Sequence, residues 1–204
     1  ILICKNHILN LTKVCYTGII LRVKNQAFAY QLKDKRMRVI TGSARGRNLK
    51  TLPGDDVTRP TTQATKEALF SSIQFELEGK RVLDLFAGSG QLGIEALSRG
   101  AAFCTFVENN RQAYKIVEEN INNCKMAQQS QLVFSDAVSF LSRRGEYDIA
   151  LLDPPYNREL VAACLEKLTS NMANDGVIIC ETAKSEELPD RVNAWNVKKV
   201  KPYG

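Results

Sequence analysis

The sequence predicts a doubly wound α/β fold built on a mostly parallel sheet. Between residues 81 and 182, five short runs of strand-forming residues alternate with helical segments. The strand runs are almost continuously apolar, which is typical of parallel strands covered by helices on both faces. A glycine-rich loop joins the first strand to the helix that follows it. Ligands of such folds bind at the carboxyl ends of the strands, so we expect the functional site there.

Each strand and helix predicted between residues 81 and 182 has a recognisable sequence pattern. The helices have apolar residues at spacings of three and four, and Gly100 closes the first of them. The predicted strands are "RVLDLF" (81–86), "AFCTFVE" (102–108), "QLVFSD" (131–136), "YDIALLD" (147–153) and "GVIICET" (176–182). The predicted helices are "LGIEALSRG" (92–100), "NRQAYKIVEENINNC" (110–124), "AVSFLSRR" (137–144) and "RELVAACLEKLTS" (158–170).

Residues 37–78 are predicted to form a small basic hairpin followed by a helix. Two extended runs, 38–41 and 48–52, flank a turn rich in glycine and arginine. Thr61 or Thr62 can cap a helix that runs to about Leu77. Residues 37–66 hold six basic and two acidic side chains, a local charge of +4. This excess favours a phosphate-bearing partner, and a merely solvated surface is the alternative.

The two ends of the chain are predicted to lie apart from this domain. Residues 1–36 hold seven of the 28 basic residues and one acidic residue, with no clear hydrophobic period. We expect them to be a non-native or disordered extension. At the other end the chain stops at "KKVKPYG", where another strand should pair. We therefore expect a C-terminal strand to be missing, and we assign residues 79–204 to one cofactor-binding domain.

The composition narrows the classes of protein that this chain can be. A length of 204 residues suits one ordinary domain. The six cysteines form no C-x-x-C pair, and His7 is the single histidine of the sequence, so neither a zinc site nor a disulfide framework is indicated. No apolar run approaches the roughly 18 residues of a membrane span. We expect a monomeric, cytoplasmic protein without a metal ion.

The glycine loop predicts a nucleotide-like cofactor, and Asp84 selects which one. Gly88, Gly90 and Gly93 form a G-x-G-x-x-G pattern, and Glu108 follows about 20 positions later, which matches the dinucleotide fingerprint. Asp84, however, would repel a pyrophosphate at the helix N-terminus and attract an ammonium or sulfonium group. S-adenosylmethionine carries both of these cations and no phosphate. The sequence therefore favours S-adenosylmethionine over NAD.

Two further acidic residues suit the rest of this cofactor. Glu108 can accept hydrogen bonds from both ribose hydroxyls. Asp136, at the end of the third predicted strand, is placed to meet the adenine amino group. Asp136 is equally suited to cap the helix "AVSFLS", and the two roles are compatible.

The stretch "LLDPPYN" (151–157) predicts a rigid clamp for a planar substrate. An exocyclic amine of a nucleobase is a poor nucleophile, because its lone pair is delocalised into the ring. The Asp153 carboxylate and the Pro154 carbonyl can hold the two N–H groups of such an amine, with the prolines fixing their direction. Tyr156 offers a flat face on which the base can stack once it has left its helix. The alternative is a strand that ends in a turn, with Tyr156 as a packing residue.

Four stretches of the chain together resemble a known family. The Asp-Pro-Pro-Tyr motif with Asp84 and the glycine loop is similar to S-adenosylmethionine-dependent enzymes that methylate exocyclic base amines. "RVITGSARGRNL", "RPTTQATKEALF", "LDLFAGSGQLGIEALSRGA" and "LLDPPY", in this order, resemble the RsmD family. That family methylates the N2 amine of a guanine in bacterial 16S ribosomal RNA. The resemblance runs over residues 38–204 and implies a Rossmann-like class I methyltransferase fold.

The resemblance also implies roles for individual residues. Cofactor binding is implied for Asp84, Phe86, Ala87, Gly88, Gly90, Glu108 and Asp136. A base clamp is implied for Asp153, Pro154 and Tyr156. RNA guidance is implied for Arg45, Arg47 and Arg59, within the basic stretch that begins at Arg38.

Two other functions remain open on the sequence. One is a DNA or RNA adenine-N6 methyltransferase, which the absence of a separate target-recognition domain disfavours. The other is a ribosome-assembly factor that binds RNA without turnover, which the intact Asp153 and glycine loop disfavour. The expected partner is 16S ribosomal RNA within the small ribosomal subunit, but the sequence does not choose between free RNA and the assembled particle.

Overall fold

The computed structural model describes residues 2–5, 37–52, 63–154, 158–181 and 189–198. Arg59 and Tyr156, two of the predicted site residues, lie outside these ranges. Within them, no helix is both long and apolar enough to cross a membrane.

The described residues form an eight-stranded sheet. Its strands are β1 (Leu2–Lys5), β2 (Arg81–Asp84), β3 (Phe103–Glu108), β4 (Ser130–Phe134), β5 (Tyr147–Leu152), β6 (Met172–Cys180), β7 (Arg191–Val192) and β8 (Trp195–Lys198). They lie in the order β4-β3-β2-β5-β6-β1-β8-β7. Strands β2 to β6 are parallel, as the apolar runs predict, and the remaining strand pairs are antiparallel.

Five α-helices accompany the sheet in the described part of the chain. They are α1 (Gln63–Ser72), α2 (Gln91–Ser98), α3 (Arg111–Asn123), α4 (Ala137–Leu141) and α5 (Arg158–Leu168). Short 3₁₀ turns at Ala127–Gln129 and Thr169–Asn171 lead into β4 and β6. The central strands are buried, with Phe106, Leu83 and Ala150 fully covered. This confirms the predicted doubly wound α/β class.

The start of the chain departs from the expectation. Residues 1–36 were predicted to be a non-native or disordered extension, yet Leu2–Lys5 forms strand β1. This strand lies between β6 and β8 and pairs antiparallel with both. Three of its four residues, Leu2, Ile3 and Cys4, are apolar, which suits a strand in that place. Residues 6–36 are outside the described part. Residues 199–204 are also outside it, so the missing C-terminal strand stays a prediction.

Predicted and observed element boundaries differ by a few residues, and the two largest differences are at the end of α1 and the start of β6. Helix α1 ends at Ser72 rather than near Leu77, and the Ser72 hydroxyl donates to the Leu69 carbonyl, where it competes with the helical backbone bond. The following turn buries Leu77 and leaves Phe75 exposed. Strand β6 begins at Met172, before the predicted apolar run, and the exposed polar residues Asn174 and Asp175 hide this start in the sequence. The β7–β8 hairpin was not predicted.

The predicted basic hairpin exists and is docked onto helix α2. Arg38 and Asn48 form an antiparallel bridge, and the intervening residues turn back through Gly42 and Gly46. We call residues 37–52 the arginine segment. The Ser43 N–H donates to the Ser98 carbonyl at 2.8 Å. The segment is therefore part of the packed domain and not a free flap.

A buried carboxylate holds the first part of the arginine segment. Glu95 of α2 is fully buried and accepts hydrogen bonds from the backbone N–H groups of Ile40 at 2.8 Å and Thr41 at 3.1 Å. Its charge is balanced by Arg99 at 2.8 Å and by the buried Lys66 at 3.5 Å. Removing Glu95 would leave the buried Lys66 ammonium without its carboxylate partner, and removing both cations would leave the buried Glu95 uncompensated.

The close approach of the segment to α2 predicts a contrast between two glycine substitutions. Gly42 and Gly46 both have positive φ, at 85° and 80°, so alanine costs about 1 kcal/mol of backbone strain at either site. A Cβ at Gly42 would also overlap the backbone carbonyl of Ser98, whereas a Cβ at Gly46 meets nothing within 4 Å. Gly42→Ala should therefore lower the free energy of unfolding by about 1–3 kcal/mol more than Gly46→Ala, as measured by urea denaturation. Equal losses would contradict the tight docking.

Candidate active site

Three predicted acidic residues meet at one edge of the sheet. Asp84 ends β2, Glu108 ends β3, and Asp153 follows the last residue of β5. These strands are parallel neighbours, with Asp84 paired to Phe106 on one side and to Leu151 on the other. The three carboxylates therefore gather at the carboxyl ends of the central strands, which is the predicted location of the site.

Asp84 is the most deeply buried of the three. The residue is only 1% exposed, and its Oδ2 accepts a hydrogen bond of 2.9 Å from the Gly93 N–H. Its Oδ1 is buried and has no hydrogen-bond partner among the described residues. The pKa of this carboxyl is raised to about 7, mainly by burial, and the charges of Asp153 and Glu108 contribute in the same direction. The Gly93 hydrogen bond acts in the opposite direction.

The glycine loop is tied to the end of β3. The Gly88 N–H donates to Glu108 Oε2 at 2.8 Å, while Glu108 Oε1 accepts from the Asn110 N–H at 2.7 Å. Gly88 and Gly90 have positive φ values of 57° and 77°, which turn the backbone sharply between β2 and α2. Each Glu108 oxygen accepts one bond and keeps capacity for another, so ribose hydroxyls could still be accepted there.

The third glycine of the motif allows α2 to approach the sheet. A Cβ at Gly93 would overlap the ring of Phe106 and lie 2.7 Å from Cys104 Sγ, both on β3. Without a side chain there, the start of α2 lies directly against β3. Helix α2 thus begins immediately above the ends of the strands, as the fingerprint requires.

The other predicted loop residues line the same turn. The Ala87 N–H donates to the Val107 carbonyl at 3.0 Å, and Ala87 is buried. Phe86 is half-buried and packs against the hydrophobic core. The two residues hold the loop to β3 and to the core.

Asp136 acts as a helix cap in the structure. Its side chain accepts a hydrogen bond of 2.9 Å from the Ser139 N–H, at the start of α4. This bond lowers the pKa of the Asp136 carboxyl. Of the two compatible roles that the sequence leaves open, the structure displays the cap.

The clamp motif is described in part. Asp153 is half-buried and Pro154 is buried, directly after β5. Tyr156 lies outside the described residues. This part of the motif follows β5, which pairs with β2, so it lies near Asp84, and the charge of Asp153 helps to raise the pKa of Asp84.

The predicted basic residues have several different environments. Arg38 and Arg45 are exposed. Arg47 is half-buried and donates to the Asn123 carbonyl near the end of α3 at 2.7 Å, so it is engaged within the fold. Lys66, counted in the basic excess, is buried against Glu95. Exposed Lys50 pairs with Glu119 at 2.7 Å, and Arg59 is not described.

Sequence reasoning missed the residues that hold these parts together. Glu95 and Ser98 on α2 and Asn120 on α3 are buried polar residues. The Ser98 hydroxyl accepts from the Ala44 N–H and donates to the Thr41 carbonyl. A charged or amide residue on the buried face of a predicted helix is the signal that could have found them, because such groups are buried only with partners.

The site fits S-adenosylmethionine. The unpartnered, buried Oδ1 of Asp84 can accept a hydrogen bond from a cation, which a pyrophosphate cannot supply. The glycine loop leaves open backbone above the strand ends, and Glu108 adds acceptor capacity. Within the described ranges, no group of three or more His, Cys, Asp or Glu side chains is arranged to hold a metal ion.

The raised pKa of Asp84 predicts a pH dependence of stability. The folded state favours the neutral carboxyl, so the free energy of unfolding should fall as the pH rises from about 4 to about 7, by roughly 4 kcal/mol in total at this group. Asp84→Asn, which cannot ionise, should lack this contribution. Urea denaturation of both proteins between pH 4 and pH 8 gives the difference. Parallel profiles for the two proteins would contradict the burial of an ionisable Asp84.

Comparison with known proteins agrees with this geometry. The family model "Conserved hypothetical protein 95" matches residues 37–204. The chain is 38% identical to YlbH of Bacillus subtilis, over 82% of this chain and 94% of that protein. It is 35% identical to the Ribosomal RNA small subunit methyltransferase D of Escherichia coli, over 83% of this chain and 86% of that protein.

A solved structure supports the same relationship. The structure of yhhF from Escherichia coli superposes with a TM-score of 0.68 at 35% identity, covering 76% of this chain and 86% of that chain. The match of the family model and the identity to these relatives both extend over most of the chain. The chain therefore belongs to the Conserved hypothetical protein 95 family, which is the RsmD family that its four motifs resemble.

Proposed function

We propose that the protein transfers a methyl group from S-adenosylmethionine to the exocyclic N2 amine of a guanine in small-subunit (16S) ribosomal RNA. The observation that carries the proposal is the gathering of Asp84, Glu108 and Asp153 at one edge of the sheet, beside the glycine loop. The substrate class comes from the Escherichia coli relative, which is a small-subunit ribosomal RNA methyltransferase.

S-adenosylmethionine is the methyl donor, and it supplies an electrophilic methyl group on a sulfonium centre. Asp84 would hold the cationic part of the cofactor through its unpartnered oxygen. Phe86, Ala87, Gly88 and Gly90 would border the cofactor with loop backbone, and Glu108 would accept from the ribose hydroxyls. Asp136 would meet the adenine amino group while it continues to cap α4.

The acceptors for the target amine come from the end of β5. The Asp153 carboxylate and the Pro154 carbonyl would accept the two N–H groups, so that the nitrogen lone pair faces the methyl carbon. Tyr156 would stack on the base after the nucleotide has left its helix. After transfer the surplus proton would pass to Asp153 or to water, because the described site contains no histidine.

The RNA would approach over the arginine segment. Arg38 and Arg45 are exposed there and suit phosphate contacts, and we assign the same role to Arg59 and to Arg47. The partner is 16S ribosomal RNA within the small subunit. We further propose a monomeric enzyme that acts in the cytoplasm without a metal ion.

Substitution of Asp153 tests the clamp and the substrate together. Asp153→Ala should lower methyl transfer by about 100-fold or more, because the amine loses an acceptor that orients it, while cofactor binding survives. Transfer is measured with labelled S-adenosylmethionine and unmodified small ribosomal subunits, naked 16S RNA or DNA, followed by digestion to nucleosides. Cofactor binding is measured by calorimetry.

The matched control is Asp175→Ala, which removes an exposed carboxylate near the start of β6. It should leave transfer unchanged. N2-methylguanosine as the product supports the proposal. N6-methyladenine would replace it with an adenine methyltransferase, and a wild-type protein that transfers no label to any of these substrates would overturn it. Persistent turnover in Asp153→Ala would refute the clamp.

Substitution of Arg45 tests the RNA-facing side. Arg45→Ala should weaken binding of 16S RNA and reduce the slope of log affinity against log salt by about 1, because one phosphate contact is lost. Arg81→Ala is the control, since Arg81 lies at the opposite end of β2 and pairs with Glu146. Filter binding at several salt concentrations measures both variants. Equal effects of the two substitutions would contradict the assignment of the arginine segment.

A further inference from the structure

A buried amide on α3 connects the arginine segment to the glycine loop. Asn120 is 1% exposed. Its Nδ2 donates to the Ser89 carbonyl at 2.8 Å and to the Lys50 carbonyl at 2.9 Å. Its Oδ1 accepts from the Lys50 N–H at 2.8 Å. One side chain thus bonds two backbone segments that are almost 40 residues apart in the sequence.

The partners of Asn120 fix its orientation. Both N–H groups of the amide have carbonyl acceptors, and the amide oxygen has a backbone donor. A flipped amide would turn its oxygen toward carbonyls and its nitrogen toward the Lys50 N–H, which would lose the bonds. No other standard side chain of this size offers two donors and an acceptor in that arrangement. The contact is therefore specific to asparagine.

The bonded segments are the ones that the proposed reaction uses. Ser89 lies between Gly88 and Gly90 in the cofactor loop. Lys50 lies at the end of the arginine segment, whose other part is held by Glu95 and Ser98 on α2. Helix α2 begins directly after the same loop. The segment is therefore fixed to the helix that follows the loop and, through Asn120, to the loop itself.

We propose that Asn120 is a positioning residue that sets the cofactor loop against the arginine segment, so that cofactor binding and RNA docking share one support. The coupling to RNA rests on the proposed function, whereas the effect on the loop does not. Because coupling between two ligands is reciprocal, RNA bound to the segment should tighten cofactor binding by the same factor as cofactor tightens RNA binding.

Two substitutions of Asn120 test the effect on the loop without RNA. Asn120→Asp keeps the acceptor for the Lys50 N–H but loses both donors, and Asn120→Ala loses all three bonds. Each should weaken binding of S-adenosylhomocysteine by about tenfold or more, as measured by calorimetry. In turnover assays the KM for S-adenosylmethionine should rise while kcat at saturating cofactor stays within about twofold. A purely structural defect would instead lower the fraction of active protein and therefore kcat.

The matched control is Asn123→Ala. Asn123 lies three residues further along α3 and donates to the Asn48 carbonyl, so it contacts the arginine segment but not the loop. Its substitution should leave the affinity for S-adenosylhomocysteine within about twofold of wild type. If it weakens the affinity as much as Asn120→Ala does, the loop contact is not what matters and the proposal fails.

If a variant is less stable, hydrogen exchange distinguishes a local effect on the glycine loop from a general loss of stability. Under conditions where the variant is folded, exchange should accelerate in peptides that cover residues 84–94 and not in those that cover β6. Wild-type affinity for S-adenosylhomocysteine in folded Asn120→Ala, together with unchanged exchange of the loop, would overturn the proposal.

Binding of S-adenosylhomocysteine in the presence of small ribosomal subunits tests the coupling to RNA separately from the proposed function. Unmodified small subunits should tighten S-adenosylhomocysteine binding severalfold in wild type and not in Asn120→Ala. Turnover on small subunits without any such tightening in wild type would overturn the coupling. Absence of turnover on small subunits would overturn the proposed substrate, while the loss of cofactor affinity in the Asn120 variants would still support the loop contact.

Discussion

The hydrogen bond between Asp84 and the Gly93 N–H is the contact on which the site depends. It joins the last residue of β2 to the first turn of α2, and the glycine loop is the chain between them. A side chain at Gly93 would overlap Phe106, so the glycine allows the helix to approach the sheet closely at the position of this hydrogen bond. One oxygen of the buried carboxylate accepts this bond, and the other has no hydrogen-bond partner among the described residues. The energetic penalty of that buried carboxylate is the reason its pKa is raised, and a bound cation would offset it.

The arginine segment shows how a basic hairpin becomes part of an α/β domain. Two anchors hold it: Glu95 with its cations on α2, and Asn120 on α3. A buried carboxylate with two backbone donors and two cations is satisfied, whereas the same carboxylate without both Lys66 and Arg99 would carry an uncompensated charge. Burial lowers the pKa of Lys66, and the charge of Glu95 opposes this shift. The charged form of Lys66 is therefore stabilised by its contact with Glu95. Both anchors fix the segment to helices that lie next to the glycine loop, and the exposed Arg38 and Arg45 belong to this segment.

The fold was predictable because its signals are local. Continuous apolar runs gave the five parallel strands, and the spacing of three glycines gave the loop and the start of α2. Boundaries were less predictable where a polar stretch joins a strand, as at the start of β6, or where a serine hydroxyl ends a helix, as at Ser72. Strand β1 could not be predicted, since its four residues gain their partners only from β6 and β8, far along the chain. The positions of Asp84, Glu108 and Asp153 followed from the parallel order of their strands.

The sequence by itself determined the parallel α/β class, the glycine loop and the acidic residues that end its strands, because each depends on neighbours within a few positions. Only the tertiary structure decided which charges are available to a partner. Lys66 reads as a surface cation in the sequence, yet it is buried on Glu95. Glu95 and Asn120 read as ordinary helical polar residues, yet both are buried supports of the site. The physical reason is that desolvation and hydrogen-bond partners depend on which segments meet in space, which a local pattern does not encode.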